Sequence, residues 1–381
     1  NMKQVSVDQL LRVLADHEPP CISLYQPTHR RHPENQQDRI RYGNLLKKLE
    51  RSLREKYATR DVRTRLEDFQ ELLHNDLFWS RRVDGLAVLA AADLFEIFEV
   101  QRDLPERIVV ANSFHIKPLL RILQSADRFH LLCLNRHEAK LYEGNRDALD
   151  PVELNDVPAT IQEALGDEPT ESHPTVASYN AGTDHAARHG HGAKSDEVNK
   201  DRERFFRVVD RAILKHHSRP AQLPLLLAAL PEYHTPFRNI SENPFLMPGG
   251  IQKNPESLSI DELRREAWQV VEPLYLERLA GLVSAFQSAR ARHAGSDDLS
   301  DVVRAAVAGR VATLLIAAEQ VIPGHIDAAT GAIQAADPDD PEADDMLDDL
   351  AEIVLRNKGE VVVVPDARMP STSGLAATYR F

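Results

Sequence analysis

Residues 178–197 read SYNAGTDHAARHGHGAKSDE, and they run directly into the amphipathic stretch that begins VNKDRERFFRVVDRAIL at Val198. The first segment has almost no apolar side chains, so it cannot build a core of its own. His189, Gly190, His191 and Gly192 alternate just ahead of Ala193, Lys194 and Ser195. A segment of this composition reads as either a mobile surface loop or an arm that docks into something else, and its imidazole and ammonium groups favour a polyanionic target. The second segment places Val198, Phe205, Val209, Ala212 and Ile213 on one helical face. Arg204, Arg207 and Arg211 follow one another at i, i+3 and i+7 on another face, a row of guanidinium groups suited to bridging phosphates. Ser195 reads as the N-cap of this helix, with Asp196 and Glu197 favoured in its first turn by the helix dipole. The helix is expected from about Val198 to Leu214.

Outward from this centre, the 381 residues are enough for two or three domains. Residues 1–125 read as an N-terminal α/β unit. A strand near Cys21–Tyr25 precedes two helices, and two short strands follow at 85–92 and 95–100. RYGNLLKKLERSLREKY at 41–57 sets Leu45, Leu46, Leu49 and Leu53 against a basic face, which reads most simply as solvated surface. Residues 126–293 form a central unit. FHLLCLNRHEAKLYEG at 129–144 is a β-hairpin, LPLLLAAL at 223–230 a buried strand, and residues 260–292 are helical. The Gly249-Gly250 pair is read as a turn before a helix capped by Ser259 or Asp261. AGSDD at 294–298 is a linker, and residues 297–381 alternate helix and strand as a C-terminal α/β/α sandwich.

The formal net charge is −13. Residues 296–381 hold 6 Lys/Arg against 16 Asp/Glu, so much of the excess sits at the C-terminal end. That distribution leaves room for a local basic face on RNA and gives the C-terminal domain a surface for a protein partner. Cys21 and Cys133 lie in apolar runs and read as small buried hydrophobes. No apolar run spans a membrane, and Met2 opens a polar stretch with no signal-peptide pattern; Asn1 reads as a tag remnant. The expected location is the cytoplasm. No phosphate-binding glycine loop, dinucleotide fingerprint or nucleophile elbow occurs, so no cofactor is expected.

The loop and helix resemble the central domain of archaeal and eukaryotic class I peptide release factors and of Pelota, in the bacterial archaeo-eukaryotic release-factor-like branch. VVANSFHIKPLLRIL at 109–123 with the hairpin after it resembles that family's passage from first to second domain. VVRAAVAGRVATLLI at 302–316 and residues 344–381, ending GLAATYRF, resemble the opening and the close of its third domain. The resemblance implies an α/β fold of three domains, with a central release-factor-like domain carrying the Gly/His/Lys loop. It implies action at stalled or terminating ribosomes, contact with tRNA and rRNA, and a protein partner such as a translational GTPase on the third domain. The site residues it implies are the tip Gly192, Ala193 and Lys194, with Arg188, His189, Gly190, His191, Lys194, Arg204, Arg207 and Arg211 on RNA.

One departure bears on chemistry. Where the family has Gly-Gly-Gln, this chain has Gly192-Ala193-Lys194. A lysine ammonium donates and has no acceptor, so it cannot orient a water as a glutamine amide does. Peptidyl-tRNA hydrolysis in the family's manner therefore lacks its glutamine in this chain. Nor is the Asn-Ile-Lys-Ser codon-reading motif present in the first domain. Two other readings stand beside this one. A protein-interaction module without RNA would fold its basic loop against acidic surface. A metal-dependent hydrolase would draw zinc ligands from Asp184, His185, His189 and His191, though the flanking Arg and Lys oppose a cation.

Overall fold

The structure is a computed structural model that describes residues 5–15, 17–55, 59–80, 82–111, 114–154, 156–166, 190–337 and 345–381. It is a mixed α/β architecture whose strands fall into three larger sheets and one small hairpin. Two compact units are formed: Arg128–Val271 is one, and the described residues on either side of it together make the other. Among the described residues, no helix is long and apolar enough to cross a membrane.

In the central unit a five-stranded sheet has the order Leu149–Pro151, Ala139–Gly144, Phe129–Leu134, Leu225–Ala228 and Leu246–Ile251. The expected hairpin pairs Phe129 with Gly144 and Leu134 with Ala139. Its turn is set by Asn135, whose Oδ1 accepts from the backbone N–H groups of His137 and Glu138. Leu225–Ala228 runs parallel to Phe129–Leu134 and is fully buried, which accounts for its unbroken apolar sequence. Leu132, Leu134 and Leu141 share a core with Phe205, Phe206, Val209 and Ile213 of the helix Gly190–Ile213.

Three expectations are corrected here; one is the linker at 294–298, where Gly295–Ser296 pairs as a strand with Leu375–Tyr379 and Asp298 caps the helix Leu299–Val307. The helix Gly190–Ile213 begins well before Val198, so Gly190–Glu197 is helical and Ser195 lies inside it rather than at its N-cap. Ala193, Lys194 and Glu197 are strong helix formers, and Asp196 with Glu197 suits the positive end of the dipole; together they outweigh Gly190 and Gly192. Gly249 and Gly250 are not a turn but part of the strand Leu246–Ile251. A Cβ on Gly250 would sit 2.6 Å from both His234 Cε1 and the Leu227 carbonyl oxygen, so close packing explains the glycine. The helix Ile260–Ala291 is opened by Ser259, which forms a reciprocal capping box with Glu262.

In the other unit, one antiparallel sheet has the order Phe95–Val100, Gly85–Ala90, Cys21–Pro27 and Arg107–Ala111. Tyr42, Leu45, Leu49 and Leu53 of the helix Gln36–Arg54 cover it, joined by Phe69 from Thr59–His74. A second sheet has the order Gly295–Ser296, Leu375–Tyr379, Val311–Ala317 and Glu360–Val364. Leu314, Ile316, Val361 and Val363 meet the helices Leu299–Val307 and Met346–Arg356 on one side. Leu315, Val362 and Val364 meet Leu279 and Phe286 on the other. That alternation is the α/β/α sandwich expected of the C-terminal segment. Arg121 ties the preceding segment to it: Nε donates to Asp348 at 2.9 Å, Nη1 to the Ala318 carbonyl at 2.7 Å, and Nη2 pairs with Asp345. Cys21 and Cys133 are buried and form no disulfide among the described residues, as read from their surroundings.

Candidate nucleic-acid interface

The helix Gly190–Ile213 divides its faces sharply. Phe205, Phe206, Val209 and Ile213 are wholly buried, and the Phe206 ring meets Tyr233 and Phe237 edge-on at 5.8 and 5.9 Å. Such aromatic contacts fix the rotation of the helix about its axis and so decide which residues face outward. The outward residues include Arg204, Arg207 and Arg211, all exposed, and the row continues to Lys215 in the π-turn Leu214–Ser218. Successive members stand three or four residues apart, or about 5–6 Å along the axis.

Pairing distinguishes these cations from many of the others. Arg204 lies 3.6 Å from Asp201 with much of its side chain in solvent. Arg207, Arg211 and Lys215 make no ion pair among the described residues. The acidic neighbour of Arg211, Asp210, turns inward, accepting from Ser241 Oγ at 2.5 Å and from the Glu242 N–H at 2.9 Å. Burial raises its pKa above the usual aspartate range. The basic face of Gln36–Arg54 is different: Arg39 pairs with Asp76, Arg41 with Asp38 and Glu106, Lys48 with Glu106, and Arg54 with Glu50. Four of its six cations are thus answered within the fold; Lys47 and Arg51 make no ion pair among the described residues. Lys215, which continues the row, was missed by reading the helix as ending near Leu214.

Of the other expected site residues, Gly190, His191, Gly192, Ala193 and Lys194 form the N-terminal end of this helix. Arg188 and His189 lie outside the described residues, as do Asp184 and His185 of the metal reading. Among the described residues no group of three or more His, Cys, Asp and Glu side chains is arranged to hold a metal ion.

Two interior features of the same unit complete its chemistry. His130, on the strand Phe129–Leu134, is wholly buried, and neither ring nitrogen has a hydrogen-bond partner among the described residues. Glu143 Oε2 stands 4.0 Å from its Nε2. Burial, with His217 and Arg128 nearby, pushes the His130 pKa down to about 3; burial likewise lowers that of His217 to about 4. Both are therefore neutral imidazoles at pH 7. A cavity of about 130 Å³ is lined by Cys133, Glu138, Lys140, Tyr142 and Glu256 among others, and is smaller than the roughly 300 Å³ at which small-molecule pockets begin.

Residues 128–310 match the family model described as bacterial archaeo-eukaryotic release factor family 3. No match is found among curated protein sequences. Among solved structures the chain is similar to the archaeal translation termination factor aRF1, at 15% identity over 98% of this chain and 97% of that one, with a TM-score of 0.28. It is similar to archaeal Pelota, in a model of ribosome-bound Pelota and ABCE1, at 13% identity over 100% and 95% of the two chains and a TM-score of 0.39. It is also similar to Dom34 of S. cerevisiae, described as a translation termination-like factor interacting with Hbs1, at 10% identity over 76% and 74% and a TM-score of 0.39. At these scores no residue role is carried over from those structures.

Proposed function

We propose, for a chain whose residues 128–310 match the model of bacterial archaeo-eukaryotic release factor family 3, a ribosome-associated, translation-factor-like role at stalled or terminating ribosomes. The observation that supports it is the exposed row Arg207, Arg211 and Lys215, which makes no ion pair among the described residues and is extended by Arg204, on a helix locked in place by Phe206. Cations left without carboxylates inside the fold bind phosphates without first breaking an internal pair, and each phosphate they neutralise releases condensed counterions. Rows of this kind position a protein on RNA and carry little sequence information, which suits tRNA or rRNA backbone as the target.

In this reading the segment from Arg188 to Ser195 is the effector tip, with Gly190 and Gly192 permitting close backbone approach and Arg188, His189, His191 and Lys194 supplying contacts. Gly192-Ala193-Lys194 is assigned binding and no hydrolytic step, because the lysine has no acceptor for an attacking water. The acidic C-terminal sandwich takes a protein partner, a translational GTPase in the simplest form, and the protein works in the cytoplasm.

Co-sedimentation of the purified protein with bacterial ribosomes across a salt series tests the proposal. Binding that weakens steeply as salt rises is the expected result. Absence of binding at low salt, to empty and to stalled ribosomes alike, moves the weight to a protein-interaction role.

A further inference from the structure

The strand Cys21–Pro27 ends in Thr28-His29-Arg30-Arg31-His32, shortly before the helix Gln36–Arg54. Asp38, in the first turn of that helix, is wholly buried. Its Oδ2 accepts from the His29 backbone N–H at 2.7 Å, and its Oδ1 accepts from His29 Nδ1 at 2.7 Å. Arg41 Nη1 stands 3.4 Å from Oδ1, and Gln26 Nε2 donates to the Asp38 carbonyl at 3.2 Å. A carboxylate oxygen accepts, so Nδ1 carries a ring proton, and in the neutral tautomer this selects, Nε2 holds the lone pair.

Stapling the loop needs only the bond to the backbone N–H. The second carboxylate oxygen instead orients a ring that keeps 38% of its side chain in solvent and whose Nε2 has no partner among the described residues. Burying a carboxylate to orient a solvent-facing imidazole is the arrangement of a ligand-contacting histidine. Around it, Arg30 is taken by Asp84 through bonds of 2.7 and 2.6 Å, whereas Arg31 and His32 are exposed with no ion pair among the described residues.

We infer that this loop is a ribose-phosphate site for single-stranded RNA. His29 Nε2 accepts from a ribose 2′-OH, and Arg31 with His32 holds the adjoining phosphates. A hydroxyl is a donor that RNA has and DNA lacks, so an acceptor fixed by a buried carboxylate discriminates between the two. No bond is made or broken. The inference rests on the RNA-contacting reading above but uses residues remote in sequence from the helix Gly190–Ile213.

The test is fluorescence anisotropy of the full chain with a short single-stranded RNA and with DNA of matching sequence, at one salt concentration. Wild type is expected to bind RNA about fivefold more tightly than DNA, the worth of one net hydrogen bond. His29→Ala should bring RNA affinity down to the DNA level. Arg31→Ala, at an exposed position that leaves the fold intact, should weaken both about equally. The triple change Arg204→Ala, Arg207→Ala, Arg211→Ala should lower both affinities and keep the RNA preference, which separates this site from the helix. An RNA preference unchanged in His29→Ala, no preference in wild type, no RNA binding at all, or an Arg31→Ala protein identical to wild type would each overturn the inference.

Discussion

Arg207 and Arg211 stand one helical turn apart on the exposed side of Gly190–Ile213, and neither makes an ion pair among the described residues. Arg41 and Lys48, by contrast, converge on the same Glu106. Exposed pairs of the second kind add little to stability, but they neutralise the surface they occupy. Composition alone gives the two helices similar basic faces; only the placement of acidic partners separates a solvated face from one left open to an external anion.

The guanidinium of Arg121 is a second consequence of such pairing. It is the common donor for Asp345, Asp348 and the carbonyls of Ala318 and Gln320. Arg121→Ala removes the guanidinium that Asp345 and Asp348, both nearly buried, share. It is expected to lower unfolding free energy by about 3–5 kcal/mol, read from chemical denaturation of the full chain. A change below about 1 kcal/mol would show that the carboxylates find other partners.

His130 and His217 set a pH dependence with a definite sign. Their folded pKa values, about 3 and about 4, lie below the ordinary histidine value of about 6.5. The unfolded chain therefore binds protons first. Their contribution is intact above pH 6.5 and is lost as pH falls from there toward 4 and 3, at about 2 kcal/mol for each group between pH 7 and pH 5. Urea midpoints at those two pH values measure the loss. His130→Leu should shrink the difference, and an equal difference in that variant would sink the assignment.

Gly250 is expected to tolerate nothing larger. Gly250→Ala drives a methyl against the Leu227 carbonyl and the His234 ring, which itself reaches the Ala229 and Ile251 carbonyls through Nε2 at 3.2 and 3.0 Å. A loss of about 1–3 kcal/mol follows from overpacking of this kind. Unchanged thermal stability would contradict the close approach.

The sequence made some of this legible and hid the rest for physical reasons. Period-2 and period-3.6 patterns located the hairpin at Phe129–Gly144, the buried strand at Leu225–Ala228 and the C-terminal alternation, because burial imposes those patterns directly. The start of the central helix was misplaced because glycine and histidine at 190–192 read as loop, while the acidic residues that favour a helix start come after them. The strand at Gly249-Gly250 was misread because a glycine chosen for close packing looks the same in sequence as one chosen for a turn. The His29–Asp38 pair, nine residues apart, has no periodic signature; it exists only because a strand end and a helix start are brought together. Likewise the pairing state of each arginine depends on carboxylates far away in sequence, such as Glu106 for Arg41.

The most direct test of the account is the salt dependence of ribosome co-sedimentation, compared between wild type and the triple variant Arg204→Ala, Arg207→Ala, Arg211→Ala. These side chains are exposed, so the fold should be unaffected. Loss of up to three phosphate contacts should weaken binding at every salt concentration and reduce the slope of log K against log salt by about 2–3. A triple variant that sediments with ribosomes as wild type does, at an unchanged slope, would contradict the claim that this helix face meets RNA.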